Sequence, residues 1–146
     1  MFNYLAAVEF IEDEGTYEIS YCDFPDIQGV AYKEENIEFE AEETLISTIA
    51  ELISSRLPIP LPTTTVTDAF SVHLPVLTCL KIALNNAIIQ SDTQKPDLAR
   101  KLNLNAQQIE RLLDIRYASK VEILEQALYL LNFDIAITVI KRSFKE

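Results

Sequence analysis

QKPDLARKLNLNAQQIERLLD, residues 94–114, holds two short amphipathic segments on either side of a polar break. Leu98, Ala99 and Leu102 lie at helical spacing in the first segment, and Ile109, Leu112 and Leu113 do so in the second. Each segment can therefore bury one face against the other, with the small Ala99 allowing close approach. The spacing predicts helices over Gln94 to Leu102 and Ala106 to Asp114. Asn105 is a good N-cap, its short side-chain oxygen accepting from an orphan N–H of the following turn. Asn103 stands where glycine is often favoured, and Asn tolerates positive φ. Two helices joined by so tight a turn have the geometry of a helix-turn-helix, whose second helix enters the DNA major groove. Gln107, Gln108 and Arg111 are left on its outer face. Gln suits adenine and Arg suits guanine, and Arg100, Lys101, Arg116 and Lys120 are available for phosphates. Gln94, at the start of the first helix, completes the candidate DNA-binding set. An ordinary helical bundle with solvated polar faces is the competing reading of the same pattern.

Working outward, Asp92-Thr93 offer an N-cap for the first helix, and Pro75 introduces a longer helical pattern through Ala83, Leu84, Ala87 and Ile88. Lys120 to Leu131 is a further helix. Phe70 to Leu74 and Phe133 to Ile140 read as strands, the second with Ile135, Ile137 and Val139 on one face. Strands flanking a helical domain lack a sheet to join, so they are expected to pair with each other, within one chain or across two. A lone two-stranded ribbon is marginal in water, whereas exchange between subunits builds a homodimer. Such a dimer through the C-terminal domain would present paired recognition helices to a palindrome. Further association through the N-terminal sheets into a tetramer stays open.

Leu57-Pro58-Ile59-Pro60-Leu61-Pro62 cannot be helical, because alternating prolines remove N–H donors and push each preceding residue toward extended backbone. It reads as a stiff exit from an N-terminal module, with Thr63-Thr64-Thr65 as its pliable continuation. Ahead of it, Phe2 to Phe10 and Thr16 to Tyr21 form a hairpin about Glu12-Asp13-Glu14-Gly15. Cys22-Asp23-Phe24-Pro25-Asp26 makes a turn-rich corner before a third strand over Ile27 to Tyr32. Asn36 to Leu57 is a helix with a broad apolar face. The expected fold class is α+β: an antiparallel sheet plus helix over residues 1–62, a linker over 63–69, and a helical helix-turn-helix domain with a short terminal β-ribbon over 70–146.

The net charge of −11 would by itself argue against a nucleic-acid partner, since it repels a polyanion over roughly a Debye length. The average conceals a partition. Up to Pro62 there are fourteen acids against Lys33 and Arg56 alone; beyond it, nine acids face ten bases. A step of this size at a Pro-rich junction suggests two surfaces with different partners, the acidic one suited to a basic partner. Cys22 and Cys79 lie in different halves and His73 is the one histidine, so no zinc site, metal, cofactor or disulfide framework is expected. Asp23, Asp26, Glu42 and Glu43 are candidate carboxylates for a metal-dependent nuclease, but no spacing singles them out from the dense acids around them. The chain is therefore not expected to be an enzyme. No apolar run approaches the roughly 20 residues that span a bilayer, and a cytoplasmic protein is expected.

The corner Cys22-Asp23-Phe24-Pro25-Asp26, the helix ending in Leu57-Pro58-Ile59-Pro60-Leu61-Pro62, and Val72-His73-Leu74-Pro75 before a long helix carry a resemblance. So do Gln90-Ser91, Asp97-Leu98-Ala99-Arg100-Lys101-Leu102, Gln108-Ile109-Glu110-Arg111-Leu112 and Ala118-Ser119-Lys120-Val121. In this order they resemble the HicB antitoxins of bacterial type II toxin–antitoxin systems, in the subgroup with a C-terminal helix-turn-helix. The resemblance implies a partial RNase H-like N-terminal domain that binds HicA, a small basic mRNA-cleaving toxin. It also implies inhibition by covering the toxin's RNA-binding face and catalytic histidine, and repression of the antitoxin's own operon through operator double-stranded DNA. Asp23, Phe24, Asp26 and Tyr32, beside the strand edge, are the candidate toxin contacts. A stand-alone helix-turn-helix repressor with an N-terminal ligand- or protein-sensing domain is the alternative.

Overall fold

A computed structural model describes residues 3–63 and 68–141; Phe2 of the first expected strand and Thr64 and Thr65 of the expected linker lie outside the described residues. Three strands come first: β1 (Tyr4–Ile11), β2 (Thr16–Tyr21) and β3 (Phe24–Ala31). The β1–β2 turn closes with the Gly15 N–H donating to the Ile11 carbonyl at 2.8 Å, and Gly15 takes φ 65°, a conformation that costs glycine little. Val8 then faces Ile19 and Phe10 faces Tyr17 across the antiparallel pair. Side chains alternate between sheet faces, which sends Tyr4, Ala6, Ile19, Tyr21 and Ala31 into the core.

Helix α1 (Ile37–Ser54) covers that face with Ala41, Leu45, Ile46, Ile49 and Ile53, all buried. Gly29 permits the close approach: a Cβ there would lie 3.1 Å from Thr44 Oγ1. The Tyr21 hydroxyl donates to the Ala41 carbonyl at 2.6 Å, locking strand to helix. Burial, with a smaller contribution from the Glu40 charge, pushes the Tyr21 phenol up to about 12, partly offset by Thr44. An acid raised above its unfolded value of 10.0 contributes stability that is complete below pH 10 and lost as pH rises through about 12. Chemical denaturation between pH 9 and 12 should therefore show a fall in stability that Tyr21→Phe makes shallower, the remainder coming from the Tyr4 phenol, which burial also raises. A parallel fall in the variant would remove Tyr21 as the cause.

Beyond the Pro-rich segment, β4 (Phe70–Val72) pairs antiparallel with β1, Tyr4 opposite Val72 and Ala6 opposite Phe70, giving the sheet order β3-β2-β1-β4. This corrects the expected terminal ribbon. Within the chain β4 belongs to the N-terminal sheet, where an existing strand satisfies its backbone groups, and residues 133–141 have no regular secondary structure.

Helices α2 (Val76–Gln90), α3 (Lys95–Leu102), α4 (Ala106–Leu113) and α5 (Val121–Leu130) follow. Asp92 and Thr93 were expected to cap α3; instead Gln94 occupies the cap position, and Asp92 sits in the left-handed region at φ 53° as part of the preceding turn. The buried side chains of both halves form one continuous core, from Tyr4 and Leu45 through Ile59 to Leu84, Leu98 and Leu124. The Pro-rich segment is its joint. Asn86 Oδ1 accepts from the Ile59 N–H at 2.8 Å while its Nδ2 donates to the Ile59 carbonyl at 3.0 Å, the pairing a neighbouring strand would supply. Asn85 donates to the Leu57 carbonyl at 3.1 Å, and the Tyr4 hydroxyl to the Pro60 carbonyl at 2.7 Å.

Candidate functional site

The α3–α4 unit is built as its sequence suggests. Leu98 and Ala99 of α3 and Ile109, Leu112 and Leu113 of α4 are buried. Asn103 ends α3 in the left-handed conformation, φ 59° and ψ 43°, a position that a short polar side chain tolerates. A capping box then starts α4: Asn105 Oδ1 accepts from the Gln108 N–H and Gln108 Oε1 from the Asn105 N–H, both at 2.8 Å. Asn105→Ala should lower the thermal stability of the chain by about 1 kcal/mol. An unchanged melting curve would mean that the cap contributes nothing to α4.

The box separates the two glutamines that sequence spacing treats alike. Gln108 is exposed, but its side-chain oxygen is engaged in the cap, whereas bidentate pairing with adenine needs both the oxygen and the nitrogen of the amide. Gln107 and Arg111, one helical turn apart, are the outward pair that remains. They line a depression of about 510 Å³ whose opposite wall is α1, at Ala50, Ile53 and Ser54. The Arg111 guanidinium lies over the Tyr117 ring, 5.1 Å from its centroid.

The expected phosphate contacts divide. Lys101 and Lys120 are exposed, as is Gln94. Arg100 is exposed and paired with Asp97 one turn earlier. Arg116 reaches back to α1, donating to Ser47 Oγ at 3.1 Å and lying 3.8 Å from a Glu43 carboxylate oxygen.

The four candidate toxin contacts also divide. Phe24 is buried, edge-on to Tyr4 with ring centroids 5.3 Å apart, and offers a partner no free face. Asp23 accepts from the Thr63 N–H at 3.0 Å and the Thr63 hydroxyl at 2.5 Å, tying the chain after Pro62 to the β2–β3 corner. Asp26 and Tyr32 are exposed, Tyr32 at 78 %. Among the described residues no three His, Cys, Asp or Glu side chains are grouped to hold a metal ion, and no helix is long and apolar enough to cross a membrane.

Lys81 went unassigned in the sequence. It lies in the middle of α2 with no exposed surface, and its ammonium donates to the carbonyls of Arg111 at 2.9 Å, Asp114 at 2.7 Å and Tyr117 at 2.6 Å, and to Ser119 Oγ at 2.9 Å. Burial pushes its pKa below the ordinary lysine value, opposed by the Asp114 charge. One lysine within the apolar run Leu80-Lys81-Ile82-Ala83-Leu84 was the available signal, since lysine is almost never fully buried without partners.

Residues 3–83 match the family described as HicB-like antitoxin of bacterial toxin–antitoxin system. Antitoxin HicB of Pseudomonas fluorescens (strain Pf0-1) is 29 % identical over 140 residues, covering 95 % of this chain and 94 % of the relative. Antitoxin HicB 1 of Photorhabdus laumondii is 30 % identical over 112 residues, 75 % of this chain and 70 % of the relative. Antitoxin HicB of Escherichia coli (strain K12) is 24 % identical over 127 residues, 87 % and 92 % of the two chains. An acidic sheet-and-helix half matched almost throughout by that family, carried on a chain aligned nearly end to end with one of its relatives, places this protein in the HicB-like antitoxin family of bacterial toxin–antitoxin systems.

Proposed function

We propose that this antitoxin neutralises a HicA-type ribonuclease toxin through its N-terminal half and represses its own operon through α3 and α4. The observation that carries the reading is the joining of two unlike surfaces on one core. Fourteen acids lie at or before Pro62, and a capped α3–turn–α4 unit with Gln107, Arg111, Lys101 and Lys120 outward lies after it. A toxin that cleaves mRNA must attract phosphates, so a carboxylate-rich face can take their place and cover its catalytic histidine. Asp26 and Tyr32 are the exposed contacts proposed on that face. The N-terminal sheet and helix are read as a partial RNase H-like fold.

On the operator side, Gln107 and Arg111 read base edges while Lys101 and Lys120 meet phosphates. Arg116 joins them by exchanging Glu43 for a DNA phosphate as the duplex enters beside α1. Ile137, Val139 and Ile140 are exposed, at 56, 93 and 81 %; an unpaired apolar stretch of this kind fits pairing across a two-fold axis, giving the dimer that a palindromic operator needs.

Co-expression with the small reading frame beside its gene tests the reading. The neighbouring product should copurify with this chain and lose its toxicity, and the purified chain should shift DNA from upstream of the pair. A neighbour that stays toxic and unbound would overturn the antitoxin assignment to HicA. Absence of a shift would overturn repression alone.

A further inference from the structure

We infer that Lys81 is the positioning residue of the DNA-reading surface, an inference that rests on the operator-binding reading above. The geometry lies behind α4, away from any surface that DNA could touch. An α-helix ends with unpaired carbonyls, and its C-terminus favours a cation. The Lys81 ammonium supplies one from inside the core, accepted by the Arg111 carbonyl in the last turn of α4 and by the Asp114 and Tyr117 carbonyls in the loop that follows. Ser119 Oγ is a fourth acceptor. An ammonium has three N–H bonds, enough for the three carbonyls, so residues 111–117 wrap around one point.

That closure reaches the reading face through Tyr117. Holding its carbonyl against Lys81 sets where its ring stands, 5.7 Å from the ammonium and 5.1 Å from the Arg111 guanidinium. A guanidinium over an aromatic face is held by the ring's quadrupole, so Arg111 leaves α4 in a fixed direction before any base is met. Pre-orienting a long side chain removes part of the entropy that binding would otherwise cost. A neutral apolar side chain at position 81 would take the ammonium from the Tyr117 carbonyl and leave the Arg111 and Asp114 carbonyls with the Asp114 and Tyr117 N–H groups that they also accept from, at 3.3 and 3.0 Å, loosening the loop and with it the ring.

The test is a double-mutant cycle on operator affinity, using the full chain and DNA from upstream of the toxin–antitoxin pair. Lys81→Met and Arg111→Ala should each weaken binding about tenfold or more, and the double variant should be no weaker than Arg111→Ala, because the lysine acts through the arginine. Toxin neutralisation by Lys81→Met serves as the folding control. Should that variant fail to fold, Tyr117→Ala keeps the buried ammonium and its carbonyls while removing the ring, and it too should be non-additive with Arg111→Ala. Additive losses in either cycle would overturn the inference and leave operator binding standing. If the unmodified chain bound no upstream DNA, the operator reading would fall, and the role given to Lys81 with it.

Discussion

Replacing Gln107 and Arg111 together by alanine is expected to weaken operator binding on the order of 100-fold, about 3 kcal/mol, while toxin neutralisation is unchanged. A good bidentate base contact is worth about 1–3 kcal/mol of discrimination, and these two side chains project from one exposed face of α4. Fluorescence anisotropy on upstream DNA, with a melting curve on the same sample, checks it. Gln108→Ala provides the internal comparison: its oxygen serves the Asn105 cap, so it should act on stability with little change in which base is preferred. Lys101→Ala and Lys120→Ala should instead weaken all sequences alike and each reduce the salt dependence by about one ion. Loss of toxin neutralisation in a folded Gln107/Arg111 variant would mean that the reading helix belongs to the toxin interface as well.

The distinction between Gln107 and Gln108 marks where sequence reading stops. Periodicity placed both outside, correctly, because a helix of known phase fixes which residues are exposed. Which exposed amide is already spent depends on a reciprocal hydrogen bond across three residues, and the Asn105-x-x-Gln108 spacing did carry that signal. Core positions of α3, α4 and α1 were legible for the same reason of period, and the left-handed Asn103 from its side chain. The fate of Phe70 to Leu74 was not. A three-residue strand has no partner written into it, and β1 claimed it from the far end of the N-terminal half, Tyr4 against Val72 and Ala6 against Phe70. Nor could local pattern show that Phe24 packs on Tyr4, that Asp23 ties down Thr63, or that α1 stands beside α4 with Glu43 facing Arg116. Those contacts follow from how the two halves pack.

The joint between those halves is the second place where a large effect is expected. Asn86→Leu keeps the number and branching of the side-chain heavy atoms but leaves both backbone groups of Ile59, a residue only 2 % exposed, without the partners that Asn86 provides. An unsatisfied buried polar group costs about 1–3 kcal/mol, so the variant should lose about 2–4 kcal/mol. For a chain of this size that lowers the melting temperature by roughly 5–15 °C. The shape of the transition is as informative as its midpoint. With the strap gripped by α2, the core runs without a break from the sheet to α5 and should melt once. With the strap released, the sheet-and-helix half and the α2–α5 half share less, and calorimetry should resolve two transitions, with proteolytic cleavage at residues 58–63 preceding the first. An unaltered single transition at the original temperature would show that the strap lies on the core without joining it. Splitting, by contrast, would show that toxin-binding and operator-binding surfaces stand on one cooperative unit. Any bias that occupancy of one then exerted on the other would be the same factor in both directions, and two modules on a free linker would have no shared core to carry it.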